Sequence, residues 1–428
     1  MKAPYRFETL CLHAGHTPDA ETRSRAVPVY RTTSYTFDDT DHAAALFAMK
    51  APGNIYTRMM NPTQEALEKR MTALEGGAGA LALASGTAAI FYSIINICSA
   101  GDEVVAANNL YGGTITMFDN ILPQLGITVK LVDPHDPKNF DAAITDKTRL
   151  LFMETIGNPA LDVTDIRAVA EISRKHHLPI VVDSTFTTPC LLKPLDCGAD
   201  IVVHSLTKWI GGHGTGIGGI VVDGGRFDWT DPKFTLYNTP DASNANLRFG
   251  HDLGENNPLG FITRMRMVPL RNLGACISPD NAWLFLQGLE TLPLRMARHC
   301  ENAMKVAEFL QSHPRVAWVR YPGLPEDPSH STARRYLTKG FGAMTVFGIR
   351  GGRDAGKRFI DNLGLFSQLA NVGDAKSLAL HPASTTHSQL TEDQQLAGGL
   401  SPDMIRLSIG IENINDIIGD LEQAFDGI

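Results

Sequence analysis

Short apolar runs alternate with amphipathic segments from about Asn61 onward. Runs of Val, Ile and Leu predict buried strands, whereas apolar residues that recur every three to four positions predict helices. The helical segment NPTQEALEKRMTALEG, for example, ends at Gly76 and Gly77. The predicted strands are AGALALAS, EVVAAN, TVKLVD, RLLFMET, PIVVDS, DIVVHS and GGIVVDG. Continuous apolar strands interleaved with helices are typical of an α/β fold, in which helices cover both faces of a mostly parallel sheet.

The periodic pattern divides the chain into three parts. Residues 1–60 contain several prolines and few periodic runs, so we expect an extended arm there. Residues 61–275 carry the strand and helix alternation of a large domain, within which the Gly-, Pro-, Asn- and Asp-rich passage 224–267 predicts a long insertion or a lid. Residues 276–428 mix helical and strand patterns, and we expect a smaller α+β C-terminal domain.

The composition narrows the class of partner. The 428 residues are 43% hydrophobic and 20% charged, as in ordinary globular proteins, and the length suffices for two domains. The formal net charge of −8 disfavours nucleic acid or an anionic membrane surface as the main partner. The start, MKAPYRFETL, lacks the apolar core of a signal peptide, and no window reaches the ~18 apolar residues of a membrane span. We therefore expect a cytoplasmic protein.

The spacing of cysteines and histidines is not that of a metal site. No Cys-x-x-Cys pair occurs, which disfavours zinc and a disulfide framework, so we expect mostly buried thiols. The histidine spacing fits no familiar ligand set, and we expect no metal. The cysteines are Cys11, Cys98, Cys190, Cys197, Cys276 and Cys300, and the histidines in question are His204, His213, His381 and His387.

Polar residues follow the ends of several predicted strands. The carboxyl ends of parallel strands meet at one edge of a sheet, where α/β proteins bind their ligands. We therefore expect these side chains to share one crevice. They are Ser85, Tyr111, Asn158, Asp183, Ser205, Thr207 and Lys208.

The residue types in this set suit pyridoxal phosphate. The aldehyde of that cofactor needs an amine, and Lys208 supplies one in front of a glycine-rich loop. The pyridine nitrogen must stay protonated for the ring to accept electrons, which calls for a carboxylate such as Asp183. Tyr111 offers a flat face for the ring. Asn158 offers a hydrogen bond to the ring hydroxyl oxygen.

The phosphate of the cofactor needs backbone N–H groups at a helix start and small hydroxyls nearby. The segment SGTAAI supplies Gly86 and Thr87, directly after Ser85, where a predicted strand turns into a helix. Ser205 and Thr207 add hydroxyls from the loop that carries the lysine. The sequence therefore predicts a phosphate site beside the lysine.

A glycine pattern offers an alternative of a different class. The segment GTGIGG at 214–219 fits G-x-G-x-x-G, the signature of dinucleotide-binding oxidoreductases. That signature follows a strand and opens a helix, whereas this segment leads into a strand. The context disfavours a nucleotide enzyme.

Several motifs together resemble one group of enzymes. The segments HSLTKWIGGH, VVDSTFTTP, SGTAAI, YGGT and YTRMMNPT resemble the cysteine/methionine-metabolism family of pyridoxal phosphate enzymes, which share fold type I with aspartate aminotransferase. Within that family, NVGDAKSLALHPASTTHSQL, LFLQGLETLPLRMARHCENA and IRLSIGIENINDIIGDLEQAF are most similar to O-acetylhomoserine sulfhydrylases. The resemblance covers essentially the whole chain.

The resemblance implies an activity and an assembly. The activity is γ-replacement, in which sulfide or methanethiol displaces acetate from O-acetylhomoserine, with a methionine γ-lyase or a cystathionine γ-synthase as the alternatives. The assembly is a homo-oligomer, a tetramer built from active dimers, in which Tyr56 and Arg58 of the arm reach the phosphate of a neighbouring subunit's cofactor.

The resemblance also implies which residues act on the substrate. Arg406, with Asn158 and Ser377, binds it, and the planar guanidinium of Arg406 suits a carboxylate. Lys208 is the catalytic base, assisted by Tyr111 or the neighbouring subunit's Tyr56. The sequence leaves open which tyrosine assists, and whether the ester is acetyl or succinyl.

Overall fold

The computed structural model describes residues 5–48, 50–385 and 400–428, which form a large and a small β-sheet flanked by helices. The strands of the large sheet are β1 Gly79–Leu83, β2 Glu103–Ala107, β3 Thr128–Val132, β4 Thr148–Glu154, β5 Ile180–Asp183, β6 Ile201–Ser205 and β7 Gly219–Asp223. Those of the small sheet are β8 Val316–Arg320, β9 Met344–Ile349, β10 Ser367–Gln368, β11 Leu378–Leu380 and β12 Met404–Ser408.

The large sheet is mostly parallel, as the sequence predicts. Its strand order is β1-β7-β6-β5-β4-β2-β3, and β7 runs antiparallel to both of its neighbours while the other pairs are parallel. All strands but β7 therefore point in one direction, and their carboxyl ends lie at one edge. Each predicted strand of this domain is present, and the apolar residues of all but the edge strand β3, which is only partly buried, are buried in the sheet.

The helices of the described residues surround both sheets. They are α1 Phe7–His13, α2 Thr40–Phe47, α3 Pro62–Glu75, α4 Gly86–Ile95, α5 Gly112–Thr116, α6 Lys138–Ala143, α7 Ile166–His176, α8 Thr188–Leu191, α9 Thr235–Asn238, α10 Gly260–Met265, α11 Arg271–Leu273, α12 Pro279–Glu290, α13 Leu292–Ser312, α14 His330–Tyr336, α15 Gly352–Asn362 and α16 Ile414–Asp426. Among these helices, none combines the length and the apolar composition that a membrane crossing requires.

One predicted helix is broken in the structure. The segment TITMFDNILPQL begins within α5, continues as a π-helical turn at Met117–Ile121 and ends as a 3-10 turn at Leu122–Leu125. Pro123 has no N–H to donate to the preceding turn, which accounts for the change in winding there. The helical periodicity is right, but the segment is not one regular helix.

The small sheet has the order β10-β11-β12-β9-β8 and a core of its own. Phe347, Phe359 and Phe425 pack together in that core. The division between the two cores falls inside the long helix α13, because Cys300 packs with the large core and Ala303 with the small one. The expected domain boundary at residue 276 stays a prediction.

The arm and the inserted passage differ in how they pack. Helix α1 packs on α3 and buries Cys11, whereas much of the arm beyond it is exposed. In the passage 224–267, Trp229 stacks on Tyr237 with ring centroids 4.3 Å apart. Leu259 and Ile262 of the same passage lie against Gly79 at the start of β1. The passage is therefore part of the body of the large domain.

Candidate active site

A cavity of about 280 Å³ lies at the edge of the large sheet where the parallel strands end. None of residues 224–267 lines it, so in the single chain the passage does not cover this cavity. Tyr56, Arg58 and Ser377 do not line it either. The predicted site residues in its wall are Ser85, Gly86, Thr87, Tyr111, Asn158, Asp183, Ser205, Thr207, Lys208 and Arg406.

The start of α4 and the β6–β7 loop meet closely at one side of the cavity. Ser85 caps α4, and its hydroxyl oxygen accepts a hydrogen bond from the Ala88 N–H at 3.0 Å. A Cβ atom on Gly86 would lie 2.6 Å from Cβ of Ser205, and one on Gly219 would lie 2.1 Å from the Ser85 carbonyl oxygen. Only glycine allows this approach, which sets the free N–H groups of the helix start beside the hydroxyls of the lysine loop.

Lys208 is placed by the loop that follows β6. Its Nζ atom donates a hydrogen bond to Oδ1 of Asn371 at 2.5 Å. Burial, and secondarily the positive charge of Arg406, lower the pKa of Lys208 from 10.5 to about 8. The amine is therefore partly neutral near physiological pH, as a nucleophile or a general base must be.

The small domain contributes two polar side chains to the cavity. Arg406 lies on β12, and its Nη1 atom donates to Oδ1 of Asn158 at 3.4 Å. Burial lowers the pKa of Arg406 to about 10, so its guanidinium remains a cation at neutral pH. Asn371 reaches the same cavity from the loop after β10. A cation and an amide thus face the lysine from the other domain.

Asp183 ends β5 and is held by the turn that follows it. Its Oδ1 atom accepts hydrogen bonds from the N–H of Thr185 at 2.9 Å and from the Thr185 hydroxyl at 2.6 Å. Burial raises the pKa of Asp183, whereas the two Thr185 donors lower it. The carboxylate therefore faces the cavity with a fixed orientation.

Sequence reasoning missed three polar residues of the cavity wall: Glu154, Thr185 and Asn371. Glu154 ends β4 just as Asp183 ends β5, so its position at a strand end was a usable signal. Asn371 lies in a loop of the small domain, and no local pattern of the sequence marks it.

The predicted site residues outside the cavity have other surroundings in the single chain. Tyr56 and Arg58 are exposed, and the guanidinium carbon of Arg58 lies 5.3 Å from the centroid of the Tyr56 ring. Ser377 is buried, and its hydroxyl donates to Oε2 of Glu412 at 2.9 Å while accepting from the Gly410 N–H at 2.9 Å. The structure therefore brings none of these three residues to the cavity.

Cysteines and histidines have structural partners instead of a shared site. Most of the cysteines are buried free thiols, as expected, and Cys276 is exposed. His204 pairs with Glu75 at 2.6 Å, and both side chains are fully buried. In the described parts of the chain, no cluster of three His, Cys, Asp or Glu side chains could hold a metal ion. His387 lies outside the described residues.

The donor set of the cavity fits pyridoxal phosphate. It combines a partly neutral amine, a buried carboxylate, a glycine helix start with adjacent hydroxyls, and a guanidinium. The helix start and hydroxyls match a phosphate, and the amine matches an aldehyde.

Comparison with known proteins agrees with this donor set. Residues 8–426 match the model of the family described as Cys/Met metabolism PLP-dependent enzyme. An O-acetyl-L-homoserine sulfhydrylase of Leptospira meyeri is 54% identical, over 100% of this chain and 98% of that protein. A homocysteine synthase of Schizosaccharomyces pombe is 48% identical, over 98% of each chain.

A solved structure is similar in both fold and cofactor. It is a Campylobacter jejuni protein assigned as an O-acetylhomoserine (thiol)-lyase, with N'-pyridoxyl-lysine-5'-monophosphate in its chain. It matches with a TM-score of 0.94 and 40% identity, over 99% of this chain and 100% of that one. The chain therefore belongs to the Cys/Met-metabolism family of pyridoxal-phosphate-dependent enzymes.

Proposed function

We propose that this enzyme exchanges the acetate group at Cγ of O-acetyl-L-homoserine for sulfide or methanethiol, giving L-homocysteine or L-methionine. The observation that carries the proposal is the meeting of Lys208, Asp183 and Arg406 at one cavity. An amine, a carboxylate and a guanidinium are what an amino-acid enzyme with this cofactor requires. Relatives named O-acetyl-L-homoserine sulfhydrylase or homocysteine synthase, at 48% to 54% identity, support this substrate class.

The residues that hold the cofactor divide between its two ends. Gly86 and Thr87 at the start of α4, with the hydroxyls of Ser205 and Thr207, take the phosphate. Asp183 faces the pyridine nitrogen and keeps its proton in place. Tyr111 supports the ring by stacking, and Asn158 makes a hydrogen bond with the ring hydroxyl oxygen.

Proton transfer is the task of Lys208. Pyridoxal phosphate, when bound, accepts the electrons that remain when a proton leaves Cα of the amino acid. Lys208 removes that proton, releases it within the site and, as a neutral amine again, removes one from Cβ, after which the bond between Cγ and the ester oxygen breaks and acetate leaves. Hydrosulfide forms the new bond at Cγ, and Lys208 returns the protons to Cβ and Cα. A pKa of about 8 for this amine suits both directions of transfer.

Arg406 orients the substrate for these transfers. Its half-buried guanidinium binds the α-carboxylate through two parallel N–H donors. Asn371 belongs to the same domain as Arg406, and its Oδ1 atom lies 2.5 Å from the Lys208 amine, so that domain contacts the proton-transfer group as well as carrying the carboxylate-binding one. Arg406 is half-buried, which strengthens its attraction for an anion relative to an exposed arginine.

A second copy of the chain completes the site in this proposal. Tyr56 and Arg58 are exposed on the arm and stand outside the cavity of their own chain, so they are free to reach a neighbour's phosphate. A dimer with two shared sites follows, and two such dimers make the proposed tetramer. The cytoplasmic location also stays a prediction, which cell fractionation would test.

Product analysis with O-acetylhomoserine tests the reaction. With sulfide we expect homocysteine and acetate in equal amounts, and without sulfide we expect little turnover. Release of an α-keto acid and ammonia without sulfide would indicate a γ-lyase, and cystathionine formed with cysteine would indicate a cystathionine synthase. O-succinylhomoserine in parallel separates the two donors. Visible absorbance of the purified protein separates this whole class from a nicotinamide enzyme.

A further inference from the structure

Two carboxyl groups line the cavity, and the proposed reaction uses only one of them. Glu154 ends β4 and Asp183 ends β5, and the two residues are register partners on adjacent parallel strands. Partners in register point to the same face of a sheet, and both side chains line the cavity. Two carboxylates in such positions repel each other, so one of them tends to keep a proton.

The surroundings decide which carboxyl group keeps the proton. Burial raises the pKa of Asp183, but two hydrogen bonds from Thr185 stabilise its ionised form and offset part of that rise. Glu154 is 5% exposed, and from the described residues it accepts one hydrogen bond, from the backbone N–H of Tyr111 to Oε1 at 2.7 Å. Burial and the Asp183 carboxylate raise the pKa of Glu154 well above its ordinary value, and no cation among the described residues offsets them. The proton therefore belongs to Glu154.

Through its contact with Tyr111, Glu154 helps to hold the start of α5 in place. Tyr111 precedes α5 as its N-cap, and its side chain makes no capping hydrogen bond. The hydrogen bond of its N–H to Glu154 ties this junction to the end of β4. Besides Glu154 and Tyr111, the titratable side chains that line the cavity are Asp183, Lys208 and Arg406.

We propose that Glu154 is a positioning residue of the cofactor site. It is a neutral carboxylic acid that holds Tyr111 at the start of α5, and it leaves the negative charge of the carboxyl pair on Asp183. This inference rests on the proposed function for one point, the stacking of Tyr111 on the cofactor ring. It predicts that the two carboxyl groups respond differently to replacement by an amide.

The test compares a matched pair of substitutions at Glu154. Glu154→Gln is neutral and keeps the acceptor oxygen, whereas Glu154→Met has a similar length and no such oxygen. The readout is the Kd for pyridoxal phosphate, from titration of the cofactor-free protein between about pH 6 and about pH 9. We expect Glu154→Gln to stay within about twofold of the parent at every pH, and Glu154→Met to bind up to roughly tenfold more weakly, the upper range for one aromatic stacking contact.

The Tyr111→Ala background shows whether Glu154 acts through Tyr111. In that background, Glu154→Met should weaken the binding of the cofactor no further. An undiminished effect would overturn the positioning role, and a pH dependence of Kd that differs between Glu154→Gln and the parent would overturn the neutral state. The Glu154→Gln comparison decides the latter point even if Glu154→Met fails to fold. Neither homoserine ester nor sulfide enters the assay, so a failure of the proposed reaction is a separate result.

Discussion

The amine of Lys208 should titrate near 8 in the cofactor-free protein, and not near the ordinary lysine value of 10.5. Burial is the larger cause and the charge of Arg406 the smaller one. At about pH 7, an amine with a pKa of about 8 is roughly one-tenth neutral, whereas one with a pKa near 10.5 is neutral in about one molecule in three thousand. Its position therefore makes Lys208 roughly 300 times more available as a nucleophile than an exposed lysine.

Competitive acetylation measures this titration directly. The cofactor-free protein is treated with trace acetic anhydride from about pH 6 to about pH 11, and mass spectrometry quantifies the peptide that carries Lys208. The exposed Lys376 of the same digest normalises the reagent. Burial reduces the extent of labelling at every pH but leaves the midpoint unchanged, so the midpoint reports the pKa.

The Arg406→Gln variant separates the two causes. We expect its midpoint to lie above that of the parent and still below 10.5, because burial remains when the charge is removed. A midpoint near 10.5 in the parent would refute the reasoning altogether. An unchanged midpoint in Arg406→Gln would remove Arg406 from the explanation and leave burial alone.

Further predictions concern the cofactor, the assembly and stability. Lys208→Ala should lose the visible absorbance of the bound cofactor and nearly all turnover, both read on the purified protein, and retained colour with activity would contradict its role. Asp183→Asn should fold and bind cofactor yet turn over slowly, as steady-state kinetics would show; a normal rate would mean that another group serves the ring nitrogen. Arg58→Ala should weaken cofactor binding roughly ten- to a hundredfold in titrations of the cofactor-free protein; hybrids of Arg58→Ala with Lys208→Ala should regain activity only if sites are shared between chains. Burial, with the Asp200 charge, raises the pKa of Asp223 from 3.8 to about 7, so the stability that the proton provides is lost as the pH rises from about 4 to about 7. Asp223→Asn should lack that loss in denaturant unfolding at about pH 5 and about pH 8, and a parallel loss in both proteins would refute it.

Local patterns predicted the large domain well, because buried parallel strands need continuous apolar runs. They failed where winding depends on a single residue, as at Pro123, which interrupts a periodic helical segment. The strand-end rule found Asp183 and Lys208, since the carboxyl ends of parallel strands meet whatever their order. The same rule would have reached Glu154, but the register that makes it a neighbour of Asp183 is not written in either strand alone.

Tertiary contacts explain the other differences. Asn371 belongs to a loop of the small domain, and only the docking of that domain on the large one brings it to Lys208. Ser377 follows six residues later, and the resemblance implies that it binds substrate. In the single chain its hydroxyl bonds Glu412 and the Gly410 N–H and it does not line the cavity, so its contact with the substrate stays a prediction.

The division of the cavity between two cores has a consequence for how this enzyme can evolve. Asp183 and Lys208 lie at or just after strands of the large sheet, whereas Arg406 and Asn371 lie on or near strands of the small one. Substitutions inside the small core can therefore shift the guanidinium that binds the carboxylate without replacing any group that transfers protons. The choice of substrate and the transfer of protons then depend on different residues. Laboratory selection for new amino-acid esters should accordingly accumulate changes behind β12 and leave the lysine loop untouched.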